Sequence, residues 1–250
     1  MTKFEKLGQI VKKLRSPNGC EWDKEQTHES LTPYLLEEVY EVIEAIENKD
    51  YSALKEELGD LLLHVIFQAD LADDKNQFSI EDSIESINNK LVNRHPHIFL
   101  DKSNKGYTKG NWEYAKQKEK NRESILDGVP NSLPSLLQAR RIQEKAASVG
   151  FDWNNNTQVL SKINEEINEL KDAIDNDSNI EDELGDVLFT IVNLSRHLNI
   201  DPEKSLRISI KKFINRFKKI EKDLNLKNIR IQDLSLDELD TIWENNKNNS

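Results

Sequence analysis

A chain of 250 residues with 35 Lys and Arg against 46 Asp and Glu has a net charge of −11 and a pI near 5.1, which argues against a nucleic-acid polymer or an anionic membrane as partner. Its one cysteine, Cys20, rules out an intrachain disulfide. With no apolar run near the roughly 18 residues of a membrane span, the expectation is a soluble cytoplasmic protein. Eight glycines, six prolines and scarce β-type alternation leave helical periodicity almost everywhere, so the fold class expected is all-α.

In chain order, Lys3–Leu14 reads as a helix with Phe4, Leu7, Val11 and Leu14 on one face, ended by turn residues at Ser16–Gly19. Trp22 follows, and two readings stand for it: shaping a base pocket, or closing the core. Thr32-Pro33 predicts the N-cap and first position of a helix that carries Glu37, Glu38 and Glu41 and breaks at Asn48–Asp50. A second helix carries Glu57 and Asp60 and runs to about Ala72; His64 on it reads as a satisfied core or edge histidine, and His28 as a capping or packing residue. Ser79 caps a third helix with Lys90 and Arg94 one turn apart, stopped by His95-Pro96-His97. A loop at Gly106–Gly110 leads to Trp112.

Residues 123–134, with Gly128, Pro130 and Pro134, form the expected linker between a domain of 1–122 and one of 135–250. Ser135–Val149 opens the second domain as Lys3–Leu14 opens the first. Trp153 takes the place of Trp22. Within Ser161–Asn199, Ile163, Ile167, Leu170 and Ile174 mark an amphipathic helix with Glu165, Glu166 and Glu169. After a polar break at Asp175–Asn179, a further helix has Ile180, Leu184, Val187, Leu188 and Ile191 inward and carries Glu183 and Asp186. The helix after Asp201-Pro202 sets Lys212 and Arg216 one turn apart, and Trp243 stands near the end as Trp112 does in the first domain. Asn245–Ser250 is expected to be disordered.

The short break forces an antiparallel hairpin on which Glu166, Glu169, Glu183 and Asp186 can converge. Two such charges at 4 Å repel by roughly 4 kcal/mol at an effective dielectric of about 20. Protonation, nearby lysines or a divalent metal must offset that; an oxygen-only set favours Mg²⁺ or Mn²⁺ over zinc. An i, i+3 acid pair alone is equally an ordinary solvated face. Here, however, Glu38, Glu41, Glu57 and Asp60 repeat the set in register, and Leu35, Val39, Val42 and Ile46 repeat the apolar stepping. The Lys/Arg pairs, repeated beside the acids, suit a phosphate clamp.

The two Glu-Glu-x-x-Glu segments, each followed by Glu-x-x-Asp, together with Cys20–His28, Arg94–Phe99 and Val149–Trp153, resemble the bacterial MazG nucleoside triphosphate pyrophosphohydrolases. The chain departs from the family at Glu21, where proline commonly separates the cysteine and tryptophan. The resemblance covers Met1 to about Lys247. It implies an all-α homodimer, tandem MazG-like helical bundles, and Mg²⁺-directed hydrolysis of NTPs or dNTPs to the monophosphate and pyrophosphate. Carried over, Glu166, Glu169, Glu183 and Asp186 would be metal ligands, Lys212 and Arg216 would hold phosphates, and Trp243 would lie against the nucleotide. Glu38, Glu41, Glu57, Asp60, Lys90, Arg94 and Trp112 match them in the first copy. Glu165 or Glu37 is the expected base or water-orienting group. The second copy is preferred as the main site because Pro96 interrupts the first just after Arg94. Rival readings are a narrower nucleotide hydrolase of the same all-α group, dUTPase-like or of phosphoribosyl-ATP type, and a non-catalytic helical regulator.

Overall fold

The computed structural model describes residues 1–99, 113, 117 and 119–247, the side chains of Pro96, His97 and Lys247 excepted. Trp112 and the Gly106–Gly110 loop fall outside these. Among the described residues there is no strand, and the chain forms two units, Met1–Lys105 and Gly106–Ser250, each a helical bundle built on one acidic hairpin.

The first unit comprises α1 (Lys3–Leu14), α2 (Glu21–Glu25), α3 (Thr32–Asn48), α4 (Tyr51–Asp74), α5 (Ile80–Arg94) and the single turn α6 (Pro96–Phe99). Thr2 opens α1 with a capping box: its hydroxyl accepts from the Glu5 N–H while the Glu5 carboxylate accepts from the Thr2 N–H. Ser79 and Asp82 do the same for α5. Thr32 does not cap α3 as expected; its hydroxyl donates to the His28 carbonyl, and Leu31 stands at the N-cap. The α3–α4 turn is set by Lys49 in the left-handed region (φ 56°) and by the Asp50 N–H bonded back to the Ala45 carbonyl at 2.9 Å. Asp50 then caps α4, accepting from the Ser52 and Ala53 amides. Val11, Leu31, Ile66, Phe67 and Leu71 form the core, with α1 laid on α4.

The second unit comprises α7 (Ser135–Ser148), α8 (Asn156–Asn176), α9 (Ile180–His197), α10 (Pro202–Leu226), a 3₁₀ turn at Ile231–Asp233 and α11 (Leu236–Lys247). The α8–α9 turn repeats the first: Asp177 is left-handed (φ 51°), and the Ser178 N–H bonds to the Ala173 carbonyl at 3.0 Å. α8 starts five residues before Ser161 because Asn155 caps it, accepting from the Gln158 amide. α11 continues to Lys247, so Asn245–Lys247 are helical, not disordered as expected; 248–250 lie outside the described residues.

Each unit has an ion-pair latch at the far end of its hairpin. In the first, Arg15 at the end of α1 pairs with Asp70 and with Asp74 of α4, the latter at 2.5 Å. In the second the polarity is reversed: Arg196, at the position matching Asp70, pairs with Asp152, whose Oδ1 also lies 3.0 Å from Nε2 of His197.

The inward faces expected from periodicity are only half right. On α9, Val187, Thr190 and Val192 are buried, whereas Leu184, Leu188 and Ile191 are 48%, 49% and 46% exposed. On α4, Leu58, Leu62 and Val65 stand open in the same register. Ile46 and Ile174, at the ends of α3 and α8, and Leu206, Ile210, Phe213 and Phe217 on α10 are exposed as well. Each hairpin helix has more apolar surface than one neighbouring layer of helices covers.

Candidate active site

In each hairpin the first helix supplies acids at i, i+3 and the second answers across the turn. Glu38 and Glu41 of α3 meet Glu57 of α4, with one carboxylate oxygen from each within 4.8 Å of the others. Glu166 of α8 meets Glu183 and Asp186 of α9 within the same limit. Three of the four acids expected in each copy therefore stand together. Asp60 and Glu169, the fourth in each, are electrostatic neighbours of their sets: Asp60 acts on Glu38 and Glu57, and Glu169 shares a proton-mediated hydrogen bond with Glu166.

The crowding shows in the acidities. Burial first, then the charges of Asp60, Glu41, Glu57 and Glu37, hold the Glu38 carboxyl above its ordinary value of 4.5. Glu57 is raised by burial and by Glu41, Glu56 and Asp60, and it hydrogen-bonds Glu41. In the second copy Glu169 is raised by burial and by Glu166. A group of hard oxygen donors whose charges repel, held on two packed helices, matches what Mg²⁺ or Mn²⁺ requires of a protein. The donor set therefore fits such an ion.

Lys162 was not picked out by the sequence reading. Its ammonium lies 2.7 Å from Glu165 and 2.8 Å from Glu166, and those two contacts hold its pKa far above that of a free lysine. The available signal was its place on α8, three and four residues before the two glutamates.

α10 carries the basic pair of the second copy. Lys212 is exposed; the Arg216 guanidinium lies 5.8 Å from the Trp243 ring centroid, and its buried Nε has no hydrogen-bond partner. Trp243 packs on Phe213 with centroids 5.1 Å apart, which pins the terminal helix beside Arg216. Lys90 and Arg94, both half-buried, sit on the last turns of α5, which Pro96 ends as anticipated. Trp22 does not close a core: it is about half exposed and meets Tyr34 edge-on at 5.7 Å. Trp153 is 38% exposed. His28 ties the approach to α3 onto α4 through Gln68, 2.5 Å away. His64 is buried, but its Nδ1 has no partner, contrary to the satisfied histidine expected; burial lowers its pKa against the pull of Asp60.

The model of the MazG nucleotide pyrophosphohydrolase domain matches this sequence twice, at residues 26–99 and 154–220, each match containing one acidic hairpin. A nucleoside triphosphate pyrophosphohydrolase/pyrophosphatase MazG from Thermotoga maritima is 50% identical over 246 residues, 98% of this chain and 95% of the relative. A nucleoside triphosphate pyrophosphohydrolase from Escherichia coli K12 is 39% identical over 254 residues, 98% and 97% respectively. An uncharacterized protein from Bacillus subtilis is 40% identical over 251 residues, covering 98% of this chain but 51% of that longer protein.

Proposed function

The chain belongs to the MazG nucleotide pyrophosphohydrolase family, and from that premise we propose that it hydrolyses NTPs and dNTPs to the nucleoside monophosphate and pyrophosphate, in a Mg²⁺-dependent reaction that keeps the cytoplasmic nucleotide pool in order. It is a hydrolase acting on acid anhydrides. The observation that carries the reading is the acid triad brought within 4.8 Å by each of two hairpins. A regulator that merely bound a partner would have no use for that charge density twice over.

Glu166, Glu169, Glu183 and Asp186 would hold the metal in the second copy, and Glu38, Glu41, Glu57 and Asp60 in the first. When bound, Mg²⁺ supplies a water of lowered pKa and screens the triphosphate. Lys212 and Arg216 take the phosphates, with Lys90 and Arg94 as counterparts; the unpartnered Nε of Arg216 leaves a donor to give. Trp243, held beside that guanidinium, lies against the nucleotide, and Trp112 is its counterpart by sequence. Glu165, exposed next to the acid set, accepts the proton of the attacking water. If Glu165→Gln leaves the turnover number unchanged while the metal affinity stays intact, that role is wrong.

The active form is read as a homodimer. Leu58, Leu62 and Val65, and in register Leu184, Leu188 and Ile191, give each hairpin an open apolar stripe, and such stripes on a monomer mark a surface that another chain covers. Phosphorus NMR on an NTP and dNTP panel tests the reaction: monophosphate plus pyrophosphate is expected, and diphosphate plus orthophosphate would refute it.

A further inference from the structure

The two acid clusters are alike in their carboxylates and unlike in what balances them. Glu38 and Glu166 hold matching positions, so four residues earlier Tyr34 matches Lys162. On α8 the Lys162 ammonium reaches into the second cluster, 2.8 Å from Glu166, which is itself only 5% exposed, and it bridges to Glu165. On α3 the Tyr34 ring turns instead to Trp22. Among the described residues no lysine or arginine comes within ion-pairing distance of Glu38, Glu41 or Glu57. Among the described residues the first cluster thus has no side-chain cation set against its carboxylates, while the second is already part-neutralised by a cation from its own helix.

We propose that Lys162 is a built-in counter-ion which a divalent cation must displace, or bind against, so that the two copies differ in intrinsic cation affinity, the first binding more tightly than the second. The inference rests on the reading of these acids as metal ligands. The physics is elementary: a dication arriving at Glu166 meets a monocation on the same carboxylate, and the repulsion subtracts from its binding. Among the described residues of the first copy no cation opposes it in that way. Residue 34 or 162 then sets the cation response of each copy without being a ligand.

Mn²⁺ titration of the full-length protein, read by the loss of the free-ion electron paramagnetic resonance signal, tests this without reference to turnover. Glu38→Gln with Glu57→Gln leaves only the second cluster, and Glu166→Gln with Glu183→Gln leaves only the first. The first cluster is expected to bind more tightly. Lys162→Met should raise the affinity of the second by about tenfold, Lys162→Gln should act in the same direction, and Tyr34→Lys should weaken the first by a similar factor. Circular dichroism checks that each variant is folded. Clusters that bind Mn²⁺ but do not respond to residue 162 or 34, or a loss of affinity in Lys162→Met, would overturn the inference and leave the metal reading standing. Absence of Mn²⁺ binding at both clusters would overturn the two together.

Discussion

Glu38 shows how the site acts on stability. Its carboxyl, raised by burial and by four neighbouring acids, holds a proton more tightly folded than unfolded. That stabilisation is complete below the unfolded value near 4.5 and is lost as pH rises through the elevated folded value. Metal-free protein should therefore melt at a lower temperature at pH 7 than at pH 5 through this group, and Glu38→Gln should flatten that dependence; a thermal melt series in chelator measures both. Asp152 works with the opposite sign. Burial pushes its carboxyl up, but the hydrogen bonds from Arg196 and His197 outweigh burial and leave it below the ordinary 3.8. Its contribution is present above the unfolded value and disappears as pH falls through the depressed one, and Asp152→Asn should remove that acid-side loss. Lys145 is a third case: 5% exposed, it bonds Glu113 at 3.0 Å and the Ile125 carbonyl at 2.9 Å. Lys145→Ala takes the nearest cation from the buried Glu113 carboxylate, which Arg141 also approaches at 3.9 Å, and should cost about 3 kcal/mol, whereas Lys171→Ala on the exposed side of α8 should change stability by less than ~0.5 kcal/mol in chemical denaturation.

At the scale of the elements, the hairpins were largely legible. The four-three-four apolar stepping and the polar breaks at Asn48–Asp50 and Asp175–Asn179 place both turns correctly, because left-handed Lys49 and Asp177 end their helices where the pattern stops. The acid sets followed, since i, i+3 spacing on facing helices leaves few other arrangements. Lys145 was not legible: on an amphipathic helix a lysine reads as solvated, and its partner Glu113 lies 32 residues away. Lys162 was hidden for a different reason, since a lysine among glutamates looks like ordinary helix decoration until the carboxylate it bridges proves to be buried. The face of α9 was misjudged because periodicity marks a face as apolar without saying which neighbour covers it. Phe67, in the first core beneath the Arg15 guanidinium, sits on the covered side of α4. Phe67→Ala should lower the stability of that unit by about 3–5 kcal/mol.

Over the whole molecule the negative charge is uneven: α10 carries eight Lys and Arg against three Asp and Glu, in a chain of net charge −11. The basic helix of the second unit therefore stands out from an acidic protein, which is the charge pattern the proposed phosphate clamp requires. If the open stripes are the surface between two copies, Leu188→Glu with Leu62→Glu should yield a folded monomer in analytical ultracentrifugation where the wild type sediments as a dimer. The central claim, that the repeated acid clusters carry the hydrolysis, is tested most directly by pyrophosphate release with Mg²⁺ and an NTP and dNTP panel. Wild type is compared with Glu38→Ala/Glu41→Ala, with Glu166→Ala/Glu169→Ala, and with all four changes combined. The account predicts strong loss in the second pair and none remaining in the combined variant; release at the wild-type rate from the combined variant would contradict it.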